Sequence, residues 1–228
     1  MILAVVGGKG GVGKSTVAYN LGAHLDGVVV DADLAMADLP ADRGPDLHDV
    51  LAGRAAPTEA VREGGPVALL PCGRSLAGAR ACEPTALVET VERVRDEYGR
   101  VVVDCPAGMC GDVGLGLLAA DACVLVTEPA PPALGDALRA RALARELDAG
   151  LAAIVLNRSN ESSPTDMVAR ELGGPVTAVP ESDAVADAQA AGVPVREHAP
   201  DAAAAAAFAD LAGTVEQACR HADPMTYS

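Results

Sequence analysis

The stretch GGKGGVGKST, residues 7–16, follows a short apolar run, ILAVV, at the start of the chain. Residues 8–15 fit the pattern GxxxxGK[ST], which binds phosphate when it joins a strand to a helix. Glycines let the N–H groups of such a loop point at phosphate oxygens, and the helix start adds its positive dipole end. The residues predicted to bind the phosphates of a nucleotide are Gly8, Lys9, Gly10, Gly11, Val12, Gly13, Lys14, Ser15 and Thr16.

Two lysines lie in this loop, Lys9 and Lys14, and the rest of the chain has none. The pattern predicts that Lys14 contacts the β- and γ-phosphates and that the hydroxyl of Ser15 binds Mg²⁺ directly. The ordinary pattern does not require a lysine at the position of Lys9. The presence of Lys9 therefore needs a separate explanation.

Seven short apolar runs follow one another along the chain, and helical segments lie between several of them. Continuous apolar strands that alternate with helices are typical of an α/β fold with a mostly parallel sheet covered by helices on both faces. Residues 84–98 and 131–147 are the clearest amphipathic helices, and residues 201–220 are predicted to form a closing helix. The predicted strands are residues 2–6, 28–30, 67–70, 101–104, 123–127, 153–157 and 175–179.

The composition restricts the partners that the protein can bind. The chain carries 32 acidic and 17 basic residues, a formal net charge of −15, and 2% of its residues are aromatic. This charge disfavours a sequence-independent grip on DNA phosphates or anionic lipid, and few rings are available for stacking on bases. We therefore do not expect DNA binding. An acidic surface is typical of proteins that work in high salt, and a basic partner is the alternative interpretation.

The sequence has neither the pattern of a secretory signal nor an apolar run long enough for a membrane span. Its six cysteines form no CxxC pair, and reduced thiols are the default for such a chain. We therefore expect a soluble, cytoplasmic protein. No linker separates parts of the chain, so residues 1–221 are predicted to form a single domain, followed by a frayed tail at residues 222–228.

The run KGGVGKST resembles the deviant Walker A motif of the MinD/ParA family of P-loop ATPases. In that family the early lysine, matched here by Lys9, reaches across a homodimer that sandwiches ATP and contacts the partner's phosphates. A fixed cation beside the transferring phosphoryl group stabilises the charge that develops there. The resemblance implies that Lys14 serves the nucleotide of its own subunit and Lys9 that of the partner.

Two aspartate-containing stretches extend the resemblance. VVVDADLAMADL is similar to switch I of the family, which implies that Asp33 orients or activates the attacking water and that Asp31 lies near the Mg²⁺ shell. VVVDCPAG resembles switch II of the MinD branch, which implies that Asp104 holds a water bound to Mg²⁺ and that Gly108 senses the γ-phosphate. Lys9, Lys14 and Asp33 are thus the residues expected to take part in ATP hydrolysis.

Three later stretches carry the resemblance to about residue 195. VTEPAPPALGDALR matches Asp136 to an acid near the dimer surface. VLNR resembles the adenine-contacting NR motif, which implies that Asn157 and its neighbour Arg158 contact the base. VPESDAV resembles the final loop, whose residues Pro180 and Glu181 border the adenine.

The chain departs from the family at its C-terminus, which lacks the basic amphipathic helix that docks MinD proteins on membranes. We therefore expect no membrane binding. The predicted function is an ATP-binding and ATP-hydrolysing dimerisation switch that positions or recruits an unknown protein partner. One alternative is an iron–sulfur or redox protein on the same fold, with Cys82 and Cys110 as ligands. The other is an ATP-dependent adaptor with little turnover.

Overall fold

The structure is a computed structural model that describes residues 1–34, 44–73, 75–108 and 111–222. Within these ranges the chain forms a seven-stranded sheet in which every pair of neighbouring strands is parallel. The strands are β1 (Ile2–Val6), β2 (Val28–Asp31), β3 (Leu69–Leu70), β4 (Val101–Asp104), β5 (Ala122–Thr127), β6 (Gly150–Ser159) and β7 (Val176–Pro180). Their order across the sheet is β3-β2-β4-β1-β5-β6-β7.

Helices connect the strands and cover both faces of the sheet. A short 3-10 turn lies at Pro84–Ala86. The α-helices in the described ranges are α1 (Lys14–Leu25), α2 (Leu47–Leu51), α3 (Pro57–Ala60), α4 (Leu76–Ala81), α5 (Leu87–Tyr98), α6 (Gly111–Ala119), α7 (Pro131–Glu146), α8 (Thr165–Leu172), α9 (Asp183–Ala191), α10 (Val195–His198) and α11 (Ala203–Ala222).

The prediction of a parallel sheet covered on both faces is confirmed, and each of the seven predicted strands is present. The bounds differ where tertiary pairing decides them. The strand predicted at 67–70 is limited to two residues, because β3 is an edge strand and pairs with β2 only through Leu69 and Leu70. The strand predicted at 153–157 is longer, since β6 pairs with a neighbour on each side.

The hydrophobic core consists of two layers, one on each face of the sheet. In β1, Ile2, Ala4 and Val6 face the layer that α5, α6, α7 and α8 cover. Leu3 and Val5 alternate with them and face the layer formed by α1, α9 and α11. Because β1 is buried on both faces, its sequence is continuously apolar.

The sheet brings four strand ends to one place. Strands β2, β4, β1 and β5 are neighbours in that order and run in the same direction, so their carboxyl ends lie at the same edge. The glycine-rich loop follows β1, near the middle of this edge, where parallel α/β sheets bind their ligands. Among the described residues, no helix combines the length and the apolar character needed to cross a bilayer.

Candidate functional site

The glycine-rich loop joins β1 to α1, which is the context that its sequence pattern requires. Gly11 and Gly13 adopt positive φ angles of 79° and 93°, a backbone conformation that L side chains disfavour. Lys14 is the first residue of α1 and is 8% exposed. The first turn of α1 carries no acidic side chain, so its free N–H groups meet no competing carboxylate from that turn. This arrangement suits a bound phosphate group.

Asn157, near the end of β6, tethers the glycine-rich loop through a hydrogen bond. Its side-chain amide donates a hydrogen bond to the backbone carbonyl of Val12 at 2.8 Å. A Cβ on Gly13 would overlap the same amide group, so the glycine permits this close approach. Sequence analysis did not identify this tether, and the predicted contact of Asn157 with a base stays a prediction.

Helix α7 supports the other side of the loop. A Cβ on Gly8 would overlap the backbone carbonyl of Asp136, so the loop and the helix approach each other as closely as a glycine allows. The side chain of Asp136 forms an ion pair with Arg139 on the same helix. The structure thus places Asp136 directly against the phosphate loop, and its predicted role at a dimer surface stays a prediction.

Two buried carboxylates lie at neighbouring strand ends. Asp31 ends β2 and Asp104 ends β4, the two residues are register partners, and they are 0% and 2% exposed. The backbone N–H of Asp33 donates to Oδ1 of Asp31 at 3.2 Å, which fixes the turn after β2. Carboxylate and hydroxyl oxygens are ligands that suit Mg²⁺, so Asp31, Asp104 and Ser15 form a compatible donor set. The predicted switch I continues into residues 35–39, which lie outside the described residues.

A cavity of about 550 Å³ opens beside the loop. Five of its lining residues belong to the predicted phosphate loop, and Arg158 was also predicted. The remaining ones were missed by sequence analysis. The lining residues are Gly11, Gly13, Lys14, Ser15, Thr16, Tyr19, Asn20, Arg158, Val185, Gln189, Gly192 and Val193.

Two hydrogen bonds between distant parts of the chain connect residues that line this cavity. The hydroxyl of Thr16 donates to Oε1 of Gln189 at 3.2 Å, and the hydroxyl of Tyr19 donates to the carbonyl of Gly192 at 2.8 Å. Partial burial, together with the charge of Glu197, raises the pKa of Tyr19, so its hydroxyl remains a donor. No local motif marks these residues, because they meet through packing between positions 173 apart.

The loop after β7 lies next to the cavity. Pro180 pairs with Ser159 in the sheet, and the N–H of Glu181 donates to the carbonyl of Ser159 at 3.2 Å. Pro180 and Glu181 therefore both contact Ser159, the residue that follows Arg158 in the chain. Neither of them is among the residues that line the cavity. Their contact with adenine stays a prediction.

Gly108 follows β4 and has a φ of 84°. Its role as a sensor of the γ-phosphate also stays a prediction.

Glu128, just after β5, contacts two cations that the sequence assigned to different tasks. Its Oε2 lies 3.7 Å from Nζ of Lys9, and its Oε1 contacts the guanidinium of Arg158. Lys9 has 47% of its side chain exposed, whereas Glu128 has 15% exposed. Glu128 lies within a stretch that supported the family resemblance, but sequence analysis did not assign it a role.

Cys82 makes local contacts in its own subunit. Its thiol donates to the carbonyl of Gly78 at 3.2 Å and contacts the carbonyl of His48 at 3.7 Å. Burial raises the pKa of this thiol, so without a metal it is the neutral thiol that makes these contacts. Cys110, the second ligand considered in the cluster hypothesis, lies outside the described residues.

The chain is similar to known proteins along most of its length. A family model described as the CobQ/CobB/MinD/ParA nucleotide binding domain matches residues 3–195. An uncharacterised ATP-binding protein of Methanocaldococcus jannaschii is 35% identical over 225 residues, which cover 92% of this chain and 85% of that protein.

Two solved structures resemble the fold closely. The cell division ATPase MinD of Pyrococcus furiosus has a TM-score of 0.88 and 30% identity, with 95% of this chain and 98% of that chain covered. The septum site-determining protein MinD of Pyrococcus horikoshii, complexed with Mg-ADP, has a TM-score of 0.88 and 28% identity, with 98% and 99% covered. The phosphate loop, the parallel sheet and these similarities agree: the chain belongs to the CobQ/CobB/MinD/ParA family of P-loop nucleotide-binding proteins.

Proposed function

We propose that this protein is an ATP-dependent dimerisation switch of the MinD/ParA type, in which hydrolysis of ATP ends the dimeric state. One observation carries the proposal. Lys14 is buried at the start of α1 and lines the cavity, whereas Lys9 has 47% of its side chain exposed and does not line it. Two lysines of one loop thus occupy different environments, as expected if they serve nucleotides in different subunits.

ATP and Mg²⁺ are the ligands that fit the site. Lys14 would contact the β- and γ-phosphates, and the N–H groups of the loop and of the first turn of α1 would cradle them. Ser15 would bind Mg²⁺ directly, while Asp31 and Asp104 would hold its water ligands. When bound, Mg²⁺ supplies charge neutralisation between the phosphates. The Mg-ADP complex of the P. horikoshii relative supports this choice of ligands.

Hydrolysis is assigned to groups that surround the γ-phosphate. Asp33 would orient or activate the attacking water, a task that suits a carboxylate held close to the phosphate site. Its backbone is anchored to Asp31, whose strand ends beside that of Asp104. Lys9 of the partner subunit would stabilise the developing charge. Gly108, with its positive φ, would sense the γ-phosphate through its backbone.

The base of the nucleotide would occupy the part of the cavity near Arg158. Asn157, Arg158, Pro180 and Glu181 come from the ends of β6 and β7 and lie near one another, which supports their assignment to this end. Gln189 extends this set, because its side chain lines the cavity and pairs with Thr16.

A dimerisation switch acts through a partner that binds the monomer and the dimer differently. We propose that this partner is a protein. The names of the two Pyrococcus relatives, a cell division ATPase and a septum site-determining protein, support a role in positioning. The net charge of −15 disfavours DNA or anionic membranes as the anchor. A single ATPase domain at residues 1–221 and a cytoplasmic location are also part of this proposal. The second is consistent with Cys72, Cys82, Cys123 and Cys219, which form no disulfide.

The test of this function is the molar mass in solution. We expect the protein to be monomeric without nucleotide and dimeric with Mg-ATP, as measured by light scattering on a sizing column. The Asp33→Ala variant should remain dimeric with ATP, because it binds ATP but turns over about 10²–10⁴ times more slowly. A monomer under all conditions would contradict the proposal, and dimers without phosphate release from the wild type would favour the adaptor alternative.

A further inference from the structure

Glu128 contacts both Lys9 and a residue of the cavity wall, Arg158. Its contact with Lys9 spans 3.7 Å, and its contact with Arg158 is a direct ion pair. Lys9 belongs to the phosphate loop after β1, whereas Arg158 belongs to β6. Glu128 follows β5, which lies between these two strands in the sheet. The carboxylate therefore joins the phosphate loop to the cavity wall.

The backbone at Arg158 has an irregular conformation that allows its side chain to contact Glu128. Arg158 has a φ of 52°, in the left-handed region that non-glycine residues rarely adopt. The register between β6 and β7 shifts between Asn157 and Ser159, so Arg158 lies in a bulge of its strand. A bulge redirects a side chain away from the regular alternation of a strand. Here it lets Asn157 reach the phosphate loop while Arg158 reaches Glu128.

We propose that Glu128 is a positioning residue for Lys9: it holds the lysine in its own subunit until a dimer forms, and releases it to the partner's phosphates. This role rests on the proposed dimerisation switch and adds a control to it. In the free subunit the positive charge of Lys9 is turned towards Glu128. Dimer assembly must then exchange the carboxylate for the phosphates of the partner's nucleotide.

The charges of the groups involved favour the transfer of Lys9 from Glu128 to the phosphates of the partner's nucleotide. Lys9 is about half exposed, and an ion pair at such a site is weak, so the lysine can leave Glu128 at small cost. Triphosphate carries more negative charge than one carboxylate and competes favourably for the lysine. After the exchange Glu128 keeps its pair with Arg158, so this mostly buried carboxylate is not left without a cation.

The first test observes Lys9 directly, because the chain contains two lysines. Protein labelled with ¹³C at lysine Cε should give two NMR signals, and the Lys9→Arg variant identifies the signal of Lys9. In nucleotide-free protein, Glu128→Gln should shift the signal of Lys9 and leave that of Lys14 in place. Glu171→Gln is the matched control, since it removes the same charge from the exposed surface of α8. An unchanged Lys9 signal in Glu128→Gln would overturn the proposal.

The second test measures the dimer. With a non-hydrolysable ATP analogue, sedimentation should give a lower dimer dissociation constant for Glu128→Gln than for the wild type. Releasing an exposed ion pair changes an equilibrium by up to about fivefold, and each dimer releases two, so the expected change is about 2- to 25-fold. Glu171→Gln corrects for the smaller net negative charge of the subunits.

The outcomes separate the two proposals. A wild type that dimerises with the analogue, together with an unchanged constant in Glu128→Gln, would overturn the role of Glu128 alone. A dimer weakened in Glu128→Gln would also overturn it, because the carboxylate would then support the dimer rather than restrain the lysine. A wild type that stays monomeric would overturn the dimerisation switch, and the positioning role with it.

Discussion

The side-chain amide of Asn157 lies 2.8 Å from the backbone carbonyl of Val12, to which it donates a hydrogen bond. The two residues are 145 positions apart, and the bond ties the end of β6 to the middle of the phosphate loop. A loop whose glycines permit many conformations loses entropy when it binds phosphate. The tether reduces this loss because it holds the loop in one conformation beforehand.

The Asn157→Asp substitution tests this tether. A carboxylate at this position would face the carbonyl of Val12 without a proton to donate, which leaves a partly buried carbonyl unsatisfied. We expect the free energy of unfolding to fall by about 1–3 kcal/mol in urea denaturation, and ATP affinity to fall as well.

Asn160→Asp is the matched control for this substitution. Asn160 accepts a hydrogen bond from the N–H of Ser162 through Oδ1 in an exposed turn, and an aspartate preserves that acceptor. Equal effects of the two substitutions on stability and affinity would show that charge rather than the tether is responsible.

Gly8→Ala tests the contact between the loop and α7. The added Cβ would overlap the carbonyl of Asp136, so helix or loop must move, at a cost of about 1–3 kcal/mol in the free energy of unfolding. At Gly10 the nearest atom to an added Cβ is the Cβ of Ala107 at 3.7 Å, an ordinary contact. Thermal unfolding without nucleotide should therefore show a lower melting temperature for Gly8→Ala than for Gly10→Ala, and the reverse order would contradict the contact.

Lys14→Ala and Lys9→Ala should differ in nucleotide binding. Lys14 is buried beside the cavity, so its loss removes the main cation of the β- and γ-phosphates and should weaken ATP binding by at least about 10- to 100-fold. Lys9→Ala should bind ATP almost normally as a monomer. Titration calorimetry under monomeric conditions measures both. Unchanged affinity in Lys14→Ala would refute the assignment of the loop.

The sequence was sufficient for the fold because its signals are local. Runs such as residues 2–6 are apolar throughout, which predicts strands buried on both faces, and the glycine loop lies between a strand and a helix. The order of these elements with the resemblance then identified the family. The length of β3 was wrong because an edge strand extends only as far as its neighbour pairs with it.

The parts of the site that sequence analysis missed depend on contacts between distant segments. Glu128 meets Lys9 across 119 positions, and Tyr19 meets Gly192 across 173, as counted from their residue numbers. Neither spacing follows any periodicity of helix or strand. Arg158 was found through a motif. Its pairing with Glu128, however, depends on a bulge and a positive φ that no local sequence pattern predicts.

The central claim is that Lys9 acts on the nucleotide of the partner subunit. Two variants that are each expected to hydrolyse ATP poorly can test it together. Lys9→Ala lacks the lysine that is supplied to the partner, and Asp33→Ala lacks the carboxylate that acts on its own nucleotide. In a heterodimer of the two, the Lys9→Ala subunit retains Asp33 and receives Lys9 from its partner. That subunit then has a complete site, whereas the site of the Asp33→Ala subunit lacks both groups.

Steady-state phosphate release from equal amounts of the two variants is the most direct measurement, with native mass spectrometry to confirm that heterodimers form. If Lys9 acts across the interface, the mixture should hydrolyse ATP faster than either variant alone, because each heterodimer contains one complete site. If Lys9 acts within its own subunit, both sites are defective and no activity returns. Heterodimers that form without recovering hydrolysis would contradict the central claim.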